Sequence, residues 1–190
     1  MKSKFSLGQF NTRTTVAIGI GTAIFIVLFW FIKIPTPVPG VTFQAASALC
    51  AVFACLFGPV AGFLIGFIGH VLTDALSWGG VWWSWALANG LAGFIFGFTY
   101  NKTRVEEGTF KGKDILIFNV VQVIANILAW ALIAPAGDVV IFKEVASVVF
   151  LEGISSAINN CISTGIFGTL LLVAYAATKT KKGSLSRKNG

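Results

Sequence analysis

The chain has 190 residues, of which 56% are hydrophobic and only 11% are charged, and its formal net charge is +7. This composition lies far outside that of soluble domains and indicates an integral membrane protein. The positive charge does not indicate a nucleic-acid partner, because 12 of the 14 basic residues fall in three short segments. These residues are Lys2, Lys4, Arg13, Lys102, Arg104, Lys111, Lys113, Lys179, Lys181, Lys182, Arg187 and Lys188.

Six apolar stretches are predicted to form membrane helices in a compact all-α bundle. They cover residues 14–34, 43–57, 60–77, 82–100, 114–134 and 145–177. In a chain with six spans the three basic segments lie on one side of the lipid bilayer, so the positive-inside rule predicts that both termini are cytoplasmic. The expected organisation is a cytoplasmic N-terminal segment, a transmembrane substrate-binding domain and a basic tail, over residues 1–13, 14–177 and 178–190.

The first helix carries two stripes of small residues at spacings of four. Ala17 and Gly21 form one stripe, and Gly19 and Ala23 form the other. Small residues at this spacing let a second helix approach closely. The stripes therefore indicate either packing within the bundle or a docking face for a partner subunit.

The segment after the first helix alternates proline with other residues from Pro35 to Gly40 and contains no charge. Proline at this spacing keeps a backbone extended and prevents a helix. The segment is expected to be either a stiff strap over the mouth of a pocket or a plain connector. Gln44 follows it, close enough to that mouth to take part in a hydrogen bond.

The third predicted helix brings His70, Asp74 and Trp78 to one face, because they lie four residues apart. An ionised aspartate at the centre of a bilayer costs about 2.5 to 3.5 kcal/mol on insertion scales, so it needs a partner, water or a proton. Three interpretations stay open: a hydrogen bond with His70, direct contact with a ligand, and proton coupling. A pocket open to the outside is expected above this face.

Tryptophans cluster where the third and fourth predicted helices meet, at Trp78, Trp82, Trp83 and Trp85, and the fourth helix continues through Asn89. Tryptophan is common at membrane interfaces. Four within eight residues exceed what an interfacial belt on two helix ends requires, and such side chains also form surfaces on which flat rings stack.

The fifth and sixth predicted helices supply further polar candidates. Asn126 and Trp130 lie four apart on one face of the fifth helix, where the amide either bonds to a neighbouring helix or lines a ligand cavity. Glu152 in the sixth helix is a second buried acid, and it is expected either to contact a ligand or to pair with His70.

The segment from Gly108 to Asp114 has a superficial likeness to a phosphate-binding loop. Its spacing is one residue short, and Asp114 follows the lysine where serine or threonine is required. The chain is therefore expected to hold no ATP site of its own. No cofactor and no metal site are expected in it either. Any energy input is expected from another protein or from an ion gradient.

The run Phe57-Gly58-Pro59, the run from Gly62 to His70, Asp74, and the run from Trp82 to Trp85 together resemble a known family. They are similar to the substrate-binding S components of energy-coupling factor (ECF) vitamin transporters. The resemblance is closest to the riboflavin-type subfamily, some of whose relatives are assigned to cobalamin.

The resemblance implies that the chain is not an enzyme and that it binds a vitamin from outside a bacterial cytoplasmic membrane. It also implies docking through the small residues of the first helix onto a transmembrane coupling subunit, the T component, together with two ATPases that use ATP. The bound vitamin is then delivered when the S component topples in the membrane.

The ligand is narrowly expected to be cobalamin, because the candidate lining is broad, aromatic and rich in amides. Riboflavin is the alternative, since an isoalloxazine ring also stacks on tryptophan and bonds to amides. A self-sufficient proton-coupled carrier, with His70, Asp74 and Glu152 as a relay, is a different class of explanation.

Overall fold

The computed structural model describes residues 7–8 and 11–179. The predictions made for Lys2, Lys4 and the basic tail beyond Lys179 fall outside the described residues. Within them the protein is an all-α membrane bundle with one short β-hairpin.

The helices are, in chain order, α1 Thr12–Phe31, α2 Ala46–Phe57, α3 Pro59–Trp78, α4 Trp83–Phe96, α5 Lys113–Phe142 and α6 Ala146–Thr178. Of these, α1, α3, α5 and α6 are long and apolar enough to cross a membrane, and α2 is a shorter apolar helix. The strands β1 Lys33–Pro35 and β2 Thr42–Gln44 connect α1 to α2. Two single 3₁₀ turns, Gly97–Thr99 and Val105–Glu107, lie between α4 and α5.

The two strands of the hairpin occupy positions that the sequence predicts to be helical. The first helix stops at Phe31 and not at residue 34, and the second begins at Ala46 and not at residue 43. The antiparallel strands pair Lys33 with Gln44, and the Thr36 hydroxyl donates to the Val41 carbonyl at 2.8 Å to close the turn. The proline segment is thus the tip of a hairpin.

The fifth helix continues past the proline at which the sequence predicts its end. Pro135 has no N–H to donate, yet the helix runs on to Phe142. The segments Ile127–Ile133 and Asp138–Phe142, on either side of the proline, are π-helical. Such local changes of helical pitch pair backbone groups that a proline frees in a membrane helix. As a result, Asp138 lies on a helix and not in a loop.

Glycines hold α3 and α4 in backbone contact. A Cβ at Gly62 would collide with the Gly93 carbonyl oxygen, and one at Gly66 would lie 2.6 Å from the Asn89 carbonyl oxygen. Small residues at a spacing of four allow helix backbones to approach this closely. The contact brings the C-terminal end of α3 beside the N-terminal end of α4.

The two small-residue stripes of α1 point in different directions. Ala17 and Gly21 are buried in the bundle, and a Cβ at Gly21 would lie 2.8 Å from the Ile65 side chain. Gly19 and Ala23 are exposed, and a Cβ at Gly19 would have no other atom within 4 Å. Only the second stripe is free to meet another protein.

Charged residues are paired at the end of the bundle where α1 begins and α6 ends. Glu106 lies 2.9 Å from Lys179 and 3.7 Å from Arg13, and it accepts a hydrogen bond from the Tyr175 hydroxyl. Burial by itself would raise the pKa of Glu106, but the hydrogen bonds from Lys179 and Tyr175 outweigh it and lower that pKa. Arg104 pairs with Asp114 at 2.8 Å in the same region.

Candidate functional site

A cavity of about 800 Å³ opens at the opposite end of the bundle from these ion pairs. It lies between the hairpin, the ends of α1 and α3, the start of α4, and the parts of α5 and α6 near their connection. Its size falls in the range of small-molecule sites. Eight of its lining residues are candidates from the sequence: Gln44, His70, Asp74, Trp78, Trp82, Trp85, Trp130 and Glu152.

Tryptophan rings form the deeper wall of the cavity. The ring centres of Trp85 and Trp130 are 5.7 Å apart with an angle of 35° between the planes, and the His70 ring lies 6.2 Å from Trp130. Trp82 lies 5.0 Å from Phe142. Trp78 stands at the mouth with 80% of its surface exposed. The wall offers flat apolar faces to a ring-shaped ligand.

Asp138 fixes the orientation of two of these rings. It is 2% exposed and accepts hydrogen bonds from Trp82 Nε1 at 2.9 Å and from Trp85 Nε1 at 2.6 Å. The Ser84 hydroxyl donates a further hydrogen bond to it. Buried carboxylates need such donors, and hydrogen bonds to a charged acceptor are the stronger kind. Asp138 therefore anchors α4 to α5 and turns the indole faces toward the cavity.

His70 and Asp74 lie side by side on α3, as their spacing predicts. His70 Nε2 is 3.6 Å from Asp74 Oδ1, which is too long for a strong hydrogen bond. Asn89 Nδ2 lies 3.0 Å from His70 Nδ1, so an amide donor there leaves the ring proton on Nε2, facing Asp74. Asp74 also accepts from the backbone N–H of Trp82 at 3.0 Å. This bond secures the start of α4.

The hairpin and α6 form the other side of the cavity. Gln44 on β2 has a buried side-chain oxygen with no hydrogen-bond partner among the described residues. Gly40, at the hairpin tip, has φ +78°, a conformation suited to glycine, and a Cβ there would lie 3.7 Å from Glu152 Oε1. The hairpin tip thus lies over Glu152.

Three of the residues proposed from the sequence as ligand contacts do not line the cavity. Asn126 donates to the side-chain and backbone oxygens of Gln122 and accepts from Trp130 Nε1 at 3.1 Å. Asn89 is buried beside His70. Trp83 is exposed, 6.4 Å from the ring of Phe67. Asn126 and Asn89 support cavity residues from behind, and Trp83 faces away.

The sequence did not single out several residues that line the cavity. Asp138 lies beyond residue 134, where the sequence predicts that the fifth helix ends, although an acid among apolar residues is itself a signal of a buried polar site. The others come from the hairpin, the end of α1, the connection of α5 to α6 and the inner face of α6, which periodicity does not bring together. They include Phe29, Lys33, Phe142, Glu144, Ser156 and Asn160.

The fold and the cavity define a class: an integral membrane protein built as a helical bundle around a pocket of small-molecule size. The family model described as "ECF-type riboflavin transporter, S component" matches residues 9–177. The chain therefore belongs to this family. The family is one of transporter components and not of enzymes.

Close relatives extend over nearly the whole chain. A UPF0397 protein of Lactobacillus acidophilus is 48% identical over 179 residues, which cover 94% of this chain and 97% of the relative. UPF0397 protein YdcD of Lactococcus lactis subsp. lactis is 46% identical, with 94% and 98% coverage. A UPF0397 protein of Enterococcus faecalis is 46% identical over 187 residues, with 98% and 100% coverage.

A crystal structure of FolT bound with folic acid has a similar fold. The TM-score is 0.59 at 16% sequence identity, with 85% of this chain and 98% of FolT covered. At this identity the likeness concerns the fold alone. It agrees with the all-α membrane bundle predicted from the sequence.

Proposed function

We propose that this chain is the vitamin-capturing S component of an ECF-type importer and that it binds its ligand in the cavity beneath the hairpin. Membership of the S-component family supports the role. The observation that carries the site is the cavity itself, which combines a volume of about 800 Å³ with a wall of oriented tryptophans. In this role the chain performs no chemistry on its ligand.

The proposed orientation places the cavity on the outer side of the membrane. The basic loop between α4 and α5 and the start of α1 lie at the opposite end, which the positive-inside rule assigns to the cytoplasm. A water-soluble vitamin would then enter beneath the hairpin, between the mouth residues Trp78 and Lys33.

The proposed partners are a T component and two ATPase subunits that hydrolyse ATP. The exposed stripe of Gly19 and Ala23 is the face of α1 on which a second helix can pack closely. Ala17 and Gly21 support the same helix from within the bundle.

For the ligand, the cavity supports a flat heteroaromatic ring compound of flavin size better than a corrinoid. The expectation of cobalamin depends on amides in the lining, and Asn89 and Asn126 do not reach the cavity. Gln44 and Asn160 do. A corrinoid is several-fold larger than a flavin and would project far out of the mouth. Of the two vitamins expected from the sequence, riboflavin therefore fits the cavity better than cobalamin.

The test is affinity purification of the tagged chain from cells grown in rich medium, followed by identification of the proteins and small molecules that accompany it. We expect a T component, two ATPases and a near-equimolar vitamin. Absorbance then separates a yellow flavin from a red corrinoid. Uphill uptake of a vitamin by the purified chain alone, driven by a pH gradient, would instead establish the proton-coupled carrier.

A further inference from the structure

The distribution of acids within the chain is highly uneven. Four of the seven acidic residues line the cavity, namely Asp74, Asp138, Glu144 and Glu152. The other three, Glu106, Glu107 and Asp114, lie in or beside the basic loop at the opposite end, where Glu106 and Asp114 have cationic partners.

The acids of the cavity have no such partners. Across residues 7–8 and 11–179, no lysine or arginine nitrogen lies within 4.0 Å of any of the four carboxylates, and the one ion-pair contact is the 3.6 Å approach of His70 to Asp74. Lys33 lines the mouth without pairing to them. Lys143 is exposed and donates to the Val140 carbonyl. The cavity lining therefore holds four carboxyl groups against one lysine, Lys33, and one histidine, His70.

The indole N–H groups of the tryptophan wall already donate hydrogen bonds to other side chains of the protein. The indole N–H groups of Trp82 and Trp85 donate to Asp138, and that of Trp130 donates to Asn126. Their ring faces remain for a ligand, and those faces attract cations.

The cavity also presents a neutral acceptor that lacks a partner. Gln44 lines the cavity, and its Oε1 is buried without a hydrogen-bond donor among the described residues. A buried acceptor without a partner costs free energy until a donor reaches it. A ligand group that donates a hydrogen bond would therefore satisfy this oxygen, as it would the carboxylates.

We propose that the vitamin-type ligand of this cavity is an organic cation: a heteroaromatic ring that carries a positive charge and N–H donors. The ring stacks on the tryptophan faces that line the cavity, and its charge and donors face Glu152 and Gln44. A bound metal ion is a poorer match for the carboxylates, because the described residues contain no group of three or more His, Cys, Asp or Glu placed to hold one. The inference rests on the proposed function and assigns the charge of the ligand.

The test is isothermal titration calorimetry of the purified full chain with three probes. Thiamine has two heteroaromatic rings and a permanent positive charge; its oxidation product thiochrome retains the rings but is neutral, and riboflavin is a neutral flavin. We expect thiamine to bind about 10- to 100-fold more tightly than thiochrome or riboflavin, the range of a charged hydrogen bond. Glu152→Gln should weaken thiamine binding about tenfold or more and leave thiochrome binding unchanged.

Glu107→Gln is the matched control, because it removes the same charge from an exposed acid of the basic loop. It should leave all three affinities unchanged, and both variants should unfold at the wild-type temperature. The inference is overturned if thiamine does not bind or if a neutral probe binds more tightly than thiamine. It is also overturned if Glu152→Gln binds thiamine with the affinity of the wild type. If riboflavin binds tightly, the proposed function stands without the cation. If no small molecule binds or accompanies the purified chain, the proposed function fails as well.

Discussion

Asp138 accepts a hydrogen bond of 2.6 Å from Trp85 Nε1. The two residues lie 53 positions apart, on α5 and α4, so the bond is both a tertiary constraint and the means by which a cavity ring is oriented. Trp82 and Ser84 donate to the same carboxylate. Three donors thus depend on one side chain that is 2% exposed.

Replacing Asp138 by alanine should lower both stability and affinity. The change leaves two indole N–H groups and one hydroxyl without their acceptor, and an unpaired donor costs about 1 to 3 kcal/mol where it is buried, as at Ser84. Thermal unfolding of the detergent-purified protein, followed by tryptophan fluorescence, measures the loss. Asp138→Asn retains one acceptor oxygen and should fall between alanine and the wild type. Equal unfolding temperatures for all three proteins would show that the hydrogen bonds do not hold α4 to α5.

Asn126→Ala should weaken vitamin binding although Asn126 does not line the cavity. Its Oδ1 accepts from Trp130 Nε1 at 3.1 Å, so the variant frees the Trp130 ring to rotate. We expect a loss of affinity of about tenfold, the value of a typical buried hydrogen bond. Titration calorimetry with the vitamin that accompanies the purified chain checks this.

Trp130→Phe is the companion variant, since it keeps a ring in the wall but removes the donor to Asn126. It should reproduce most of the Asn126→Ala effect. If Asn126→Ala binds as the wild type does, the support of Trp130 from behind the wall is unimportant for the ligand.

Two glycines two residues apart on α1 should behave differently when replaced by tryptophan. Gly19→Trp adds a ring to the exposed stripe, so it should block association with the T component and leave the unfolding temperature unchanged. Gly21→Trp meets Ile65 and Phe53 inside the bundle and should reduce stability by several kcal/mol, since overpacking typically costs about 1 to 3 kcal/mol for much smaller additions.

Two measurements on each tagged variant separate an effect on assembly from an effect on folding. They are the recovery of co-purified ATPases and the thermal unfolding temperature. Normal recovery of the ATPases with Gly19→Trp would remove the exposed stripe from the docking face. A stable Gly21→Trp protein that fails to assemble would assign docking to the Ala17 and Gly21 stripe instead.

The end of the bundle that carries the Glu106 ion pairs should contribute less to the free energy of unfolding in acid. The pKa of Glu106 lies below its ordinary value of 4.5 because of Lys179 and Tyr175. The stabilisation that ionised Glu106 gives to the folded state is therefore fully present above about pH 4.5, and it is lost as pH falls through the lowered pKa. Because Glu106 is partly exposed, the effect should be under about 1 kcal/mol. Unfolding temperatures measured from pH 7 to pH 3 should fall less steeply for Glu106→Gln than for the wild type; parallel curves would contradict this.

Much of the fold is readable from the sequence because hydrophobic periodicity and glycine spacing act locally. The bundle, the glycine contact between α3 and α4 and the shared face of His70 and Asp74 all follow from spacing alone. The hairpin does not, since strand pairing between Lys33 and Gln44 competes with helix over a short apolar segment. The passage of α5 through Pro135 also depends on π-helical turns that no simple rule of spacing predicts.

The candidate site is readable in part for the same reason. Trp82, Trp85 and Asp74 lie near one another in sequence, so their meeting is expected. Asp138 and Glu144 come from a different part of the chain and reach the cavity only through tertiary packing. For Asn126 the sequence leaves open whether the amide bonds to a neighbouring helix or lines a ligand cavity, and in the structure it bonds to Gln122 and Trp130 on its own helix.

Native mass spectrometry of the detergent-purified chain, after incubation with a mixture of water-soluble vitamins, tests the central claim most directly. The proposed function predicts one added molecule of vitamin mass per chain, with occupancy strongly reduced in Trp130→Ala and unchanged in the exposed control Trp83→Ala. A chain that retains no added molecule, or a Trp130→Ala variant that retains it as the wild type does, would contradict vitamin capture in this cavity.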